Sequence, residues 1–184
     1  MIMTLDALME SIPSYAKDLK LNFSSVVRQQ TELTEQQLWG TVVACAMASR
    51  NEELTAAAIE EASAHLSSQA LAAAEGASAI MGMNNVFYRF LHLSSNDKYA
   101  SMRAGLRMNV IRGHGVDLLD FELWCIAVSA INGCGSCVDS HQKVLREKGF
   151  GEEKTLAAVR IASMLHAIAV VLDTERVAAS QPVA

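Results

Sequence analysis

Proline is nearly missing from this chain of 184 residues: Pro13 and Pro182 are the only two. Proline breaks a helix interior, so almost everything between them is free to be helical. Aromatic residues are scarce, at 5%, and alternating β-branched runs bounded by hairpin turns do not occur. Basic clusters are missing too. Lys plus Arg is 15 against 20 Asp plus Glu, a formal net charge of −5. Phosphate binding needs clustered Lys and Arg, so nucleic acid is not an expected partner. No unbroken apolar run reaches the ~18 residues of a membrane span, and the longest, Ile161 to Leu172, is interrupted by His166. The opening Met1-Ile2-Met3-Thr4-Leu5-Asp6 has no cationic stretch leading into an apolar core. A secretory signal is therefore not expected, and the chain reads as cytoplasmic.

What is present points to one class. Apolar residues make up 51% and charged residues 19%, which excludes intrinsic disorder and suits one sizeable core. Abundant Ala, Leu, Met, Glu and Gln favour helix, and the expected fold is all-α in a single domain spanning residues 1–184. Thr34-Glu35-Gln36-Gln37 fits a capping box and predicts a helix to about Ser49. Asn51 can cap a helix through Leu54, Ile59 and Leu66, and Ser67 or Ser68 another through Ile80 to about Phe90. Polar breaks fall at Ser94–Asp97 and Gly113–Gly115. Asp117 can cap a helix to about Ile131; the next ends near Gly149, and a last one covers Glu152 to about Val177.

A weak internal repeat runs at an offset of 85 residues. Leu38-Trp39 recurs as Leu123-Trp124, Val43 as Val128, Leu71-Ala72-Ala73 as Leu156-Ala157-Ala158, and Ala77-Ser78 as Ala162-Ser163. Two related helical units, about 34–91 and 117–177, are expected to pack on each other. Where the first reads Ser49-Arg50-Asn51-Glu52, the second reads Cys134-Gly135-Ser136-Cys137.

Cys134 and Cys137 form a C-x-x-C pair. At a helix start, this spacing brings both sulfurs onto one face, close enough to form a disulfide with little backbone movement. Unpaired backbone N–H groups and the positive end of the helix dipole stabilise a thiolate there. His141 follows Cys137 by one helical turn and can take its proton. Glu122, on the preceding helix, can orient His141 if a tight turn at Asn132-Gly133 folds the two helices together; otherwise it is a first-turn carboxylate near Asp117. Two other readings of the cysteines stand beside redox chemistry: half of a zinc site with His141 as a further ligand, or incidental core residues. Paired Glu-x-x-His motifs for a di-iron site are missing, as is a glycine-rich phosphate loop, so no bound metal or cofactor is expected. Cys45 and Cys125 read as small buried hydrophobes. Trp39 and Trp124 read as core anchors, and His166, on an apolar helix, is the most notable of the other histidines. In Met81-Gly82-Met83-Asn84-Asn85-Val86-Phe87-Tyr88-Arg89, two adjacent amides in an apolar helix need partners.

Glu122, eleven residues, Cys134-Gly-Ser-Cys137, three residues, His141 resembles the signature of the alkyl hydroperoxidase D family of the carboxymuconolactone decarboxylase-like superfamily. Tyr15-Ala16-Lys17-Asp18, Gln37-Leu38-Trp39-Gly40, Met81 to Arg89, Gly105-Leu106-Arg107-Met108-Asn109 and Phe121-Glu122-Leu123-Trp124 also look like family segments, so the resemblance covers about residues 12 to 175. It implies an all-helical fold, a homotrimer, and an antioxidant peroxidase whose thiols reduce alkyl hydroperoxides and recycle a partner peroxiredoxin of the alkyl hydroperoxide reductase C type. It further implies electrons from dihydrolipoamide on a lipoyl-bearing acyltransferase. By position, Cys137 is similar to the family's sulfenic-acid cysteine, Cys134 to its resolving thiol, and Glu122 with His141 to its proton relay. Ser136 stands where some members carry His; a hydroxyl donates a hydrogen bond but holds no positive charge near neutral pH. The alternatives are a thiol–disulfide adaptor without significant peroxidase activity and a carboxymuconolactone decarboxylase-like enzyme.

Overall fold

The computed structural model describes residues 3–180; Met1, Ile2 and the stretch 181–184, with Pro182, lie outside it. Helices follow one another with no strand among the described residues. They are α1 (Leu5–Ser11), α2 (Lys17–Phe23), α3 (Glu35–Ser49), α4 (Glu52–Ala62), α5 (Ser68–Leu93), α6 (Lys98–Ser101), α7 (Val110–Gly113), α8 (Leu118–Ile131), α9 (Gly135–Glu147) and α10 (Glu152–Ser180). Tight helical turns, Ser14–Ala16 and Ser24–Arg28, flank α2.

The starts are set by side chains that occupy otherwise orphaned backbone donors. Thr34 and Gln37 form a complete capping box on α3. Asn51, Ser67 and Asp117 accept backbone hydrogen bonds at the starts of α4, α5 and α8. Gly149 adopts a φ of +71° just after α9, a left-handed stop that glycine takes without Cβ strain. Helix α4 ends at Ala62 and tight turns carry the chain on to Leu66, whereas α5 and α10 run three residues beyond Phe90 and Val177.

Helices α3 and α8 form the centre and pack on each other, and each also packs on α5 and α10. Ten consecutive residues of α3, Gln37–Ala46, and ten of α8, Asp120–Ser129, are buried. A helix covered on every side is apolar all round, which is why neither shows an amphipathic stripe. Gly40 is the point of closest approach: a Cβ there would lie 2.2 Å from the Trp124 ring. The polar residues on these buried helices have specific partners. Gln36 and Gln37 donate to the two carboxylate oxygens of Asp120 at 2.7 and 2.8 Å, and Trp124 Nε1 donates to the Gln37 carbonyl at 3.3 Å.

Helix α10 is longer and more apolar than the interrupted run Ile161–Leu172 suggests. It is long and apolar enough to cross a membrane, with mean hydropathy 1.9 over its best window, yet 56% of that window is buried within this fold. The apolarity follows from its place against α3 and α8. The 85-residue offset is exact at Trp39 and Trp124, but the caps of the next helices, Asn51 and Cys134, slip two residues from that register.

Candidate active site

Helix α8 ends at Ile131, and the chain reverses at Asn132 and Gly133, the latter with φ +66°. Backbone donors carry the chain through this turn: Asn132 N–H to Val128 O, Gly133 N–H to Ala130 O and Cys134 N–H to Ser129 O. Arg89, on α5, clamps the turn by donating to the Asn132 carbonyl. Helix α9 therefore folds back onto α8 and also rests on α5.

Cys134 is the N-cap of α9 and Cys137 lies in its first turn. Their Cα atoms are 5.3 Å apart and the sulfurs are joined as a disulfide. Cys134 is wholly buried, while Cys137 retains 6% exposure. Ser136 Oγ lies 3.6 Å from Cys134 Sγ. The folded-back turn also brings Glu122 to His141, with Oε2 and Nδ1 2.6 Å apart in a largely buried pair. With Nδ1–H held by a carboxylate, Nε2 of a neutral imidazole carries the lone pair, so Glu122 sets both ring orientation and tautomer. His141 Nε2 lies 3.3 Å from Met81 Sδ, which also receives a hydrogen bond from Ser129 Oγ at 3.5 Å.

Cys137 and His141 share the wall of a cavity of about 340 Å³. Its apolar side is formed by Met81 and Tyr88 of α5, Met108 and Ile111; Asn84, Ser136 and Ser140 supply the polar groups. Cys134 does not line it. Among the described residues, no three His, Cys, Asp or Glu side chains stand close enough together to hold a metal ion. Cys45 and Cys125 are free thiols in the core, and burial pushes both thiols up, Cys125 additionally through the nearby Glu122. His166 lines a different concavity of about 530 Å³, with Arg50, Arg89 and Asp173, that includes neither Cys134 nor Cys137.

The α5 contribution to the cavity is what the sequence reading did not place. The signal was the paired amides. Asn85 is satisfied inside the protein: its Nδ2 donates to Ser129 Oγ and its Oδ1 accepts from Asn132 Nδ2, both at 2.9 Å. Its neighbour Asn84 faces the cavity wall instead.

An all-helical protein with a C-x-x-C disulfide at a helix start, backed by a Glu–His pair, is a member of a recognisable class. Residues 97–180 match the carboxymuconolactone decarboxylase family. Across nearly the whole chain there are closer relatives. A protein of Acidobacterium capsulatum named "Alkyl hydroperoxide reductase AhpD" is 67% identical, covering 95% of this chain and 96% of the relative. Proteins of the same name from Koribacter versatilis and Solibacter usitatus are 65% and 62% identical, each covering 94% of this chain and 89% and 97% of their own. The chain belongs to the alkyl hydroperoxide reductase AhpD family, within the carboxymuconolactone decarboxylase-like superfamily.

Proposed function

We propose that the protein is an antioxidant thiol peroxidase that reduces alkyl hydroperoxides through Cys134 and Cys137. The observation that carries this reading is the cavity whose wall Cys137 and the Glu122-held His141 share. In the reduced enzyme, His141 Nε2 takes the Cys137 proton and the start of α9 stabilises the thiolate. The thiolate sulfur attacks the terminal oxygen of the hydroperoxide. The O–O bond breaks, Cys137 becomes a sulfenic acid, and the leaving alkoxide takes the proton from His141 to give the alcohol. The Cys134 thiol then attacks the sulfenic sulfur, forming the disulfide and releasing water. An external dithiol returns two electrons and two protons by exchange.

The dithiol that fits this role is dihydrolipoamide on a lipoyl-bearing acyltransferase, and the same thiol pair serves to regenerate an alkyl hydroperoxide reductase C-type peroxiredoxin. The names of the relatives support a peroxide-related reductase activity. A C-x-x-C used as a catalytic rather than a structural pair suits a reducing cytoplasm. A homotrimer is part of this reading. Its support is an exposed apolar strip on one face of α5: Val86, Phe90 and Leu93 are 59%, 50% and 74% exposed.

Changing Cys137 to Ser removes the attacking sulfur and should abolish peroxide consumption. The check is dihydrolipoamide-dependent turnover of tert-butyl hydroperoxide, with and without added peroxiredoxin. Full turnover by the variant without peroxiredoxin would overturn the assignment. Turnover by the wild-type protein only when peroxiredoxin is present would make it an adaptor.

A further inference from the structure

Cys137 and His141 share a cavity that Met108 and Ile111 help to wall. Both of these apolar residues belong to the long connection between α5 and α8, which holds α6 and α7. The charge of this connection is one-sided. Between Asp97 and Asp117 the chain carries Lys98, Arg103, Arg107 and Arg112 and no acidic residue, although the whole chain has a net charge of −5. No two of these cations are adjacent, so they form no basic run. All four residues are exposed, and none of them enters an ion pair among the described residues. Arg107 directly precedes Met108 and Arg112 directly follows Ile111, so two of them stand beside cavity-lining residues. Asp139, next to Ser140 on α9, is the one acidic residue so placed among the described residues. Met102 and Leu106, each directly before an arginine, are exposed as well. Gathered like charges repel one another, and arginine beside exposed apolar side chains is the composition of a protein-binding surface.

We propose that this connection is the docking surface for the protein that supplies the reducing dithiol, and that the docking face of that protein is acidic. The proposal rests on the peroxidase reading above and on its external dithiol. Cys137 is the sulfur that lines the cavity, and a cavity of about 340 Å³ admits a dithiol-bearing arm but no folded domain. The body of the carrier therefore rests outside it, against the residues around Met108 and Ile111. This chain as a whole repels an acidic protein; the arginines supply a local field of the opposite sign where the arm has to enter. In the exchange, one thiolate of the arm attacks Cys137 Sγ and displaces Cys134; the second attacks the arm's own sulfur and displaces Cys137. The arm's dithiol is oxidised to a disulfide as two electrons and two protons pass to Cys134 and Cys137. A free dithiol has no body to dock, so the arginines act only when the dithiol is carried by a protein.

The test compares two reductants of the same disulfide in single turnovers: the reduced lipoyl-bearing acyltransferase and free dihydrolipoamide, which is uncharged. The combined variant Arg103→Glu, Arg107→Glu, Arg112→Glu should be reduced by the acyltransferase at least about tenfold more slowly, the scale of lost electrostatic steering. The wild-type rate with the acyltransferase should fall as salt rises, and that of the variant should not. Free dihydrolipoamide should reduce both proteins equally fast. Lysine at the same three positions retains the charge and should keep most of the acyltransferase rate. Reduction of the glutamate variant by the acyltransferase at the wild-type rate would overturn the proposal. So would equal slowing with both reductants, which marks a distorted cavity, or slowing confined to regeneration of the peroxiredoxin, which assigns the surface to that partner. A fall in the sedimenting mass of the variant marks a contact between copies and overturns it too. A wild-type protein that free dihydrolipoamide does not reduce brings down the dithiol reading and this proposal together. Wild type that free dihydrolipoamide reduces, with an acyltransferase rate indifferent to the glutamates and to salt, brings down this proposal alone.

Discussion

Four cysteines share one chain, and their surroundings assign them opposite chemistry. Cys134 and Cys137 sit at the start of α9, where free backbone donors favour a thiolate. Cys45 and Cys125 sit within the buried stretches of α3 and α8 with no exposure, and burial holds them as neutral thiols. In the folded, reduced protein, iodoacetamide at pH 8 should therefore label Cys137, which lines the cavity, and spare Cys45 and Cys125, as peptide mass spectrometry will show. The sign of the accompanying pH effect follows. A thiol pKa raised by folding adds stability that is fully present below the unfolded value of 9.0 and is lost as pH rises further, because only the unfolded chain then releases the proton. Denaturant midpoints should accordingly fall above pH 9, and less steeply in Cys45→Ala. The pairing of Glu122 with His141 is also a residue-scale matter. Spacing placed His141 beside Cys137, but only the turn at Gly133 brought Glu122 within 2.6 Å of the ring.

At the scale of elements, the site depends on how closely α3 and α8 approach. Gly40 lets the Trp124 ring lie directly against the α3 backbone, and Asp120 bonds to both Gln36 and Gln37. Helix α8 carries Glu122 two residues after Asp120 on this same buried segment, so the α3–α8 contact also locates the carboxylate that meets His141. Gly40→Ala places a methyl group inside the ring. It should cost about 1–3 kcal/mol, as overpacked core sites do, measured by urea denaturation. Part of the activity should go with it as Glu122 shifts. These central helices were readable from their caps and lengths. Their burial was legible only in reverse, as the lack of a polar face. The short α1, α2, α6 and α7 were not read from the sequence, since each has only four to seven residues and helices that short depend on tertiary contacts for stability.

For the molecule as a whole, two long helices decide where apolar surface lies. Helix α10 has the composition of a membrane span and the position of a core helix, and its burial against α3 and α8 is the physical account of both. Helix α5 carries cavity residues on one face and the exposed strip Val86, Phe90 and Leu93 on another, with Phe90 packed 5.2 Å from the ring of Tyr99. On the proposed trimer, Phe90→Asp should lower the mass seen by sedimentation equilibrium towards that of one chain. A wild-type protein that sediments as a single chain would remove the trimer from the reading.

The sequence by itself determined the helical class, most boundaries of the longer helices, the pairing of Cys134 with Cys137 and the placement of His141 one turn beyond. All of these are local: caps, propensity and spacing within one turn act between residues close in the chain. The tertiary structure alone decided that Glu122 meets His141 rather than the helix start at Asp117, that Met81 stands behind the imidazole, and that Asn84 and Asn85, neighbours in sequence, face different surroundings. Those outcomes turn on contacts between α5, α8 and α9. Which side chains meet there is set by a glycine-permitted reversal and by the packing of buried helices, and neither leaves a periodic mark in the residues themselves.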